Sequence, residues 1–294
     1  MPAMSARRAT LIGFVAVLLW SLLALFTVAT LPVPPLQLNA MAFAIGGLLG
    51  LIWLMRSGGL SQLRGVQMRV YVFGTAGLFG YHLLYFSALR MAPAAEAGLI
   101  AYLWPLLIVL FSGLLPGETL RRGHIIGAVI SFAGAALIVT GGGIDFSPTA
   151  LPGYALAALC ALTWAGYSVL SRRLGTVPTG AVAVFCIATA ALSLPLHLVF
   201  EETIWPTTPL AWGGVVALGL GPVGLAFYLW DIGVKRGDIQ LLGTTSYAAP
   251  LLSTLVLVLA GLAQASQTLL IAAGMITIGA LIAAHSSARA NRQG

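Results

Sequence analysis

The 294-residue chain holds four histidines, two cysteines and seven carboxylates, and their spacing forms no catalytic set. A nucleophile or a metal site needs several polar groups converging at one place. His82 is the only histidine deep within an apolar run, whereas His124, His197 and His285 stand near run ends. Cys160 and Cys186 lie inside apolar runs and read as small core residues, neither a disulfide nor a metal pair. A G-x-x-x-x-G-K-[ST] phosphate loop is absent, so ATP hydrolysis by that device is not expected. No cofactor, metal or catalytic residue is expected, and what remains is recognition.

Aromatic and hydroxyl residues carry that possibility. Trp164, Tyr167, Ser168 and Ser171 recur at i, i+3, i+4 and i+7, one helical face. Tyr81, His82 and Tyr85 share another face; Phe227, Tyr228 and Asp231 a third; Gln240, Thr244 and Tyr247 a fourth, and Trp20 and Thr27 join them from near the N-terminus. An interfacial aromatic belt accounts for Trp53, Trp205 and Trp212. It fits Trp20, Trp164, Tyr102 and Tyr247 poorly, because these stand mid-run, where lipid offers an indole or phenol donor no partner. A wide apolar pocket with few polar tips would suit a neutral or zwitterionic solute carrying a large apolar group. Phosphorylated solutes would need a buried Arg or Lys, and no mid-run position supplies one.

Three prolines are placed to bend helices. Pro105, Pro222 and Pro250 each stand deep in an apolar run, where proline removes a backbone hydrogen bond and clashes with the preceding turn. Either packing irregularity or a bending point with carbonyls freed toward a cavity would follow. Charges are scarce. Glu96 falls in the first turn after Pro93, favoured there by the helix dipole, with Arg90 as a partner or as a proton or cation site. Asp231 and Lys235 are four apart in the favourable order for an ion pair. Glu96 and Asp231 are thus the positions where a proton or cation could couple to whatever the chain does. His82 is either a hydrogen-bonded core histidine or a group titrating near neutrality.

The elements that must position these residues are membrane spans. Only 7% of residues are charged and 60% are apolar, against about a quarter charged in soluble domains. Charge-free intervals leave room for ten helices of about 20 residues. They are expected near Thr10–Thr30, Leu36–Met55, Val70–Leu89, Pro93–Leu115, His124–Thr140, Pro152–Ser171, Gly180–Val199, Pro209–Gly233, Ile239–Ala260 and Thr268–His285. The first is span-length rather than signal-length, so it is expected to stay in the mature chain. Alternating these spans puts Arg7, Arg8, Arg56, Arg64, Arg69, Arg121, Arg122, Arg172, Arg173, Lys235, Arg236, Arg289 and Arg292 on one side and Arg90 alone on the other. By the positive-inside rule, both termini are cytoplasmic. The net charge of +7 is a topology signal; nucleic acid would need a contiguous basic face.

The chain also repeats. Gly98, Tyr102, Pro105, Leu106 and Leu107 in GLIAYLWPLL match Gly243, Tyr247, Pro250, Leu251 and Leu252 in GTTSYAAPLL at a shift of 145. The same shift pairs Gly74 with Gly219, Arg90 with Lys235 and Gly134 with Gly279; a shift of 144 pairs Trp20 with Trp164. Residues 1–143 and 144–294 therefore read as two copies meeting near Gly141-Gly142-Gly143 and Asp145. Five spans is an odd number, so the copies must be inverted, the architecture of secondary transporters with a site between the halves.

The segment YFSALRMAPAAEAGLIAYLWPLLIVLFSGLLPGETLRRGHIIGAVISFAGAALIV resembles the second part of an EamA domain, the repeat of the drug/metabolite transporter superfamily. Ala88-Leu89-Arg90, Pro105, Gly117-Glu118 and the Gly127/Gly134 helix carry the likeness, which covers two copies from about Leu11 to Val139 and Leu151 to Ala283. Ala263 stands where the shift predicts a second Glu118, so Glu118 reads as a loop device. Within the superfamily the chain most resembles YddG-like exporters of aromatic amino acids. The resemblance implies ten helices, a cavity lined by the first four helices of each half, peripheral helices 5 and 10, and an inner-membrane exporter of aromatic or bulky neutral amino acids. Multidrug or quaternary-ammonium export on the same fold is the first alternative, with aromatic faces holding the cation. A membrane-embedded enzyme or scaffold subunit is the second. The small residues Gly127, Gly134, Gly274 and Gly279 permit close helix contact, either within the chain or in a homodimer through helices 5 and 10.

Overall fold

The structure, a computed structural model, describes residues 4–141, 143 and 146–290, the last by its backbone alone. Gly142, Asp145 and Arg292, invoked above, lie outside the described residues. Ten helical segments are long and apolar enough to cross a membrane, and the described residues contain no strand. They are α1 (Ala6–Ala29), α2 (Pro35–Arg56), α3 (Met68–Met91), α4 (Ala94–Ser112), α5 (Arg122–Thr140), α6 (Pro148–Arg173), α7 (Ala181–Phe200), α8 (Pro209–Arg236), α9 (Ile239–Leu259) and α10 (Gln267–Arg289). Helices satisfy their own backbone groups, which hydrocarbon requires. Side chains cap their starts where the sequence offers them. The Ser5, Thr208 and Asp238 oxygens accept from the backbone N–H of Arg8, Ala211 and Leu241, and Pro35 and Pro209 open α2 and α8. α8 runs to Arg236, about a turn beyond expectation, because Asp231 and Lys235 pair across that turn at 2.8 Å.

Contacts sort the segment ends into two groups. At one end, the Asp238 N–H donates to the Thr10 hydroxyl at 2.8 Å, tying the start of α1 to the α8–α9 junction. The Arg172 guanidinium donates to the Val234 and Gly237 carbonyls there and pairs with Glu118. His124 and Ser287 join the start of α5 to the end of α10. At the other end, the Glu201 carboxylate accepts from the Leu36 and Gln37 N–H groups and from Arg90, while Gly153 packs on Met91 and Ala92. The first group gathers most of the cations, and we call it the basic end.

Packing follows a simple scheme: α1 lies on α8, α2 on α7, α3 on α6 and α5 on α10. Between α5 and α10 the approach is close enough to exclude side chains. A Cβ on Gly127 would stand 2.5 Å from the Gly279 carbonyl oxygen, and one on Gly134 3.0 Å from that of Ala272. Three of the four glycines considered for a dimer face thus serve contact within the chain, and Gly274 alone faces open space. Four segments are interrupted. α4 and α9 each carry a turn, at Tyr102-Leu103 and Ser246-Tyr247. α8 widens to a π-turn over Gly221–Leu225, and α1 breaks at Ser21-Leu22.

Candidate functional site

Four tryptophans from four segments form one cluster in the middle of the bundle. Trp20 (α1) lies 5.1 Å from Trp230 (α8), 5.8 Å from Trp164 (α6) and 6.1 Å from Trp104 (α4), measured between ring centroids. Trp104, Trp164 and Trp230 are buried. Their arrangement is largely edge-to-face, which the ring quadrupoles favour. Two of the indole N–H groups have protein acceptors. Trp20 donates to the Pro222 carbonyl at 3.1 Å, within the π-turn, and Trp230 donates to the Ser168 hydroxyl at 3.0 Å. A π-turn frees carbonyls from the helical ladder, so Pro222 supplies what Trp20 needs at a depth where water is scarce.

Polar tips come from the side of this cluster away from the basic end. Tyr81 lies 5.4 Å from Trp164 and parallel to Tyr85 at 6.1 Å. His82 meets Phe43 edge-on at 5.0 Å and Phe227 at 6.1 Å. Its Nδ1 is 2.7 Å from the Leu78 carbonyl; a carbonyl only accepts, so Nδ1 carries the proton and neutral His82 presents Nε2 as an acceptor. Tyr102, at the turn in α4, neighbours Tyr81 and Tyr85. Tyr81, His82, Tyr85 and Tyr102 are all only half-buried, although each stands well inside its segment. The arrangement is a floor of indoles beneath phenols and an imidazole that still reach open space.

The other predicted residues are dispersed. Tyr167 stacks on Trp164 at 5.2 Å and Ser168 accepts from Trp230, so both buttress the floor from behind. Tyr228 donates to the Gly46 carbonyl at 2.9 Å, and Thr244 donates to the Gln240 carbonyl of its own helix; both are buried in helix packing. Tyr247 is fully buried beside Phe132, and its hydroxyl oxygen accepts the Leu106 N–H at 3.0 Å. Pro105 and Pro250 follow the turns in α4 and α9, and Pro222 lies in the π-turn. Asp231 is at the basic end, held by Lys235 and by the Thr179 hydroxyl at 2.7 Å. Glu96 is buried in the first turn of α4. Arg90 reaches Glu201 at 2.8 Å, a partner different from the Glu96 considered for it.

Sequence reasoning overlooked Trp104, Trp230, Phe43 and Glu201. Trp230 had a signal: it stands 145 residues after Tyr85, aromatic matched with aromatic. Trp104 immediately precedes Pro105, but its repeat position is Ala249. Glu201, with a side chain only 3% exposed, also takes a hydrogen bond from His197 Nδ1 at 3.0 Å. Nothing near it in sequence announces that the ends of three segments meet there.

Beneath the indoles, side-chain contacts lock neighbouring segments together at the basic end. Glu118 pairs with Arg172 and accepts from Gln240 at 3.1 Å, and Lys235 donates to the Val177 carbonyl at 3.0 Å. Glu118 lies in this lock and outside the aromatic site, in keeping with a loop role.

Ten apolar helical segments around a central, largely uncharged aromatic cluster define a polytopic membrane protein. The chain belongs to the EamA-like transporter family, which matches residues 7–140 and again residues 151–284. It is 57% identical over 283 residues to the aromatic amino acid exporter YddG of Ancylobacter novellus, covering 95% of this chain and 98% of that one. The aromatic amino acid exporter YddG of Salmonella typhimurium is 28% identical over 294 residues, covering 95% and 97%. The pseudopaline exporter CntI of Pseudomonas aeruginosa is 31% identical over 199 residues, 67% of this chain and 68% of its own. A solved crystal structure 55% identical in sequence superposes with a TM-score of 0.93, covering 97% of this chain and 99% of the other.

Proposed function

We propose that this chain exports aromatic and other bulky neutral amino acids across the bacterial inner membrane, without altering them covalently, by alternating access between two inverted halves. Residues 1–143 and 144–294 are the halves, and both termini are cytoplasmic. One observation carries the substrate class: half-buried Tyr81, His82, Tyr85 and Tyr102 stand over buried indoles, with no ion pair among them. Ring faces favour a large apolar side chain, and the few polar tips suit an ammonium and a carboxylate. The relatives' names point the same way.

The inverted arrangement draws support from contacts between repeat positions. His82 meets Phe227 and Ser131 bonds to the Ile276 carbonyl, each pair separated by 145 residues, and Trp20 meets Trp164 at 144. A residue touching its own counterpart marks a two-fold relation. The packing of α1 on α8 and α3 on α6 exchanges under that relation, while α2 on α7 and α5 on α10 map onto themselves.

Purified protein in liposomes, offered labelled phenylalanine, tryptophan, leucine, lysine, aspartate and a tetraalkylammonium ion, tests the proposal. Phenylalanine and tryptophan should exchange fastest and the charged amino acids should fail. Tyr102→Ala should slow tryptophan exchange about tenfold, the equivalent of one aromatic contact with its area, and Trp205→Ala less than twofold. Selective movement of the tetraalkylammonium ion, abolished by Glu96→Gln, would replace this reading with cation export.

A further inference from the structure

Around the turns in α4 and α9 the chain carries Gly, Tyr, Pro, Leu and Leu at matching repeat positions, yet these residues are engaged differently. In α9, the Tyr247 hydroxyl accepts the N–H of Leu106 at 3.0 Å. Repeat symmetry turns this pair into Tyr102 with Leu251, since 102 and 247, like 106 and 251, differ by 145. No such bond forms: Tyr102 is half-buried, and no side chain accepts from the Leu251 N–H among the described residues. Gly243 repeats the contrast. A Cβ on it would lie 2.9 Å from Val109 and 3.0 Å from the Pro105 carbonyl, whereas one on its counterpart Gly98 would meet only Val139 at 3.4 Å. The tryptophan cluster repeats it again. Trp20 is 5.1 Å from Trp230, but the corresponding Trp164 and Tyr85 share no ring contact.

All three contacts form, and none of their three repeat-related counterparts does. The α9 segment before its turn, Ile239–Thr245, packs on the α4 segment after its turn, Trp104–Ser112. The mirror-related pieces, Ala94–Ala101 and Ala248–Leu259, have no comparable packing.

We infer that Tyr102 and Tyr247 are reciprocal positioning residues, each closing one end of the transport path by accepting the N–H that follows the other segment's proline. The structure holds the state in which Tyr247 is engaged and the basic end closed. In the exchanged state Tyr102 accepts from Leu251, Gly98 seats on the Pro250 carbonyl, and Tyr247 and Gly243 let go. The proline matters on both sides. Pro105 and Pro250 open the local helical ladder, so the next N–H is within reach of a side-chain acceptor. Tyr102 would then serve twice, lining the open site in one state and sealing its mouth in the other. This inference rests on the inverted-repeat reading proposed above and does not depend on the solute.

Spin labels at Ala94→Cys and Ala260→Cys, with Cys160 and Cys186 replaced by alanine, read the opening opposite the basic end as a distance distribution. Tyr247→Phe should shift populations toward the short distance, and Tyr102→Phe toward the long one. Each shift should be about 2–10-fold in the population ratio, as for loss of one hydrogen bond. Gly98→Leu should remove the short distance altogether, an arm that stands if Tyr247→Phe folds poorly. A merely structural tyrosine would not give shifts of opposite sign. Shifts of the same sign, no shift from either tyrosine, or a short-distance population surviving Gly98→Leu would each overturn the inference. Opposite shifts without aromatic amino acid exchange in liposomes would leave it standing and sink the proposed substrate instead.

Discussion

Asp231 and Lys235 show how a membrane segment tolerates charge. Their side chains are 2% and 6% exposed, and each has a second partner, the Thr179 hydroxyl for Asp231 and the Val177 carbonyl for Lys235. A buried pair is costly to break on one side because the remaining charge is stranded. Lys235→Met should therefore lower stability in detergent by roughly 3–5 kcal/mol, whereas Asp231→Asn combined with Lys235→Met should recover most of that loss. Thermal unfolding of the two single variants and the double variant checks this, and additive losses would contradict it. The i, i+4 spacing made this pair legible in the sequence. Trp20 and Trp164 were legible through the repeat, and Tyr81, His82 and Tyr85 through their shared face. Trp104 was not, because its repeat position carries alanine and periodicity cannot say which ring turns inward. Glu201 was hidden for another reason: its partners Leu36, Gln37 and Arg90 are distant in sequence, so only tertiary structure assembles them.

At the scale of elements, proline position gave the breaks but not their outcome. The turns in α4 and α9 fall just before Pro105 and Pro250, as the lost N–H and the clash with the preceding turn require. The break in α1 has no proline or glycine; there the Ser21 hydroxyl bonds back to the Leu18 carbonyl at 2.6 Å, a contact that loosens helices. The α5–α10 pair is the tightest use of small residues. Gly127→Val would press a branched side chain onto the α10 backbone, and overpacking of this kind costs about 1–3 kcal/mol. Gly274→Val meets open space and should leave stability unchanged. Size-exclusion profiles and unfolding temperatures of the two variants separate intramolecular packing from a dimer contact. If Gly274→Val alone altered the oligomeric state, the open face of α10 would be the subunit interface.

For the whole molecule, ten spans and their alternation follow from apolar length and charge, and the contacts at each end agree with strict alternation. The start of α1, the end of α6 and the ends of α8 and α10 gather at the basic end, while the starts of α2 and α6 and the ends of α3 and α7 gather at the other. Which compartment faces the basic end is fixed by the insertion bias of Arg and Lys, since a lipid bilayer alone treats its two sides alike. Ser61 lies in the exposed α2–α3 connection at the basic end, Gly175 follows Arg172 and Arg173 there, and Thr207 is exposed before α8 at the opposite end. Single cysteines at these three positions, in cells expressing a variant without Cys160 and Cys186, give a direct reading with a membrane-impermeant maleimide. Thr207→Cys should label in intact cells, and Ser61→Cys and Gly175→Cys only after permeabilisation. Labelling of Gly175→Cys from outside while Ser61→Cys stays protected would place α6 and α1 in the same direction through the membrane, and with that the inverted halves, the exchange of their turns and the transport cycle built on them would all fail together.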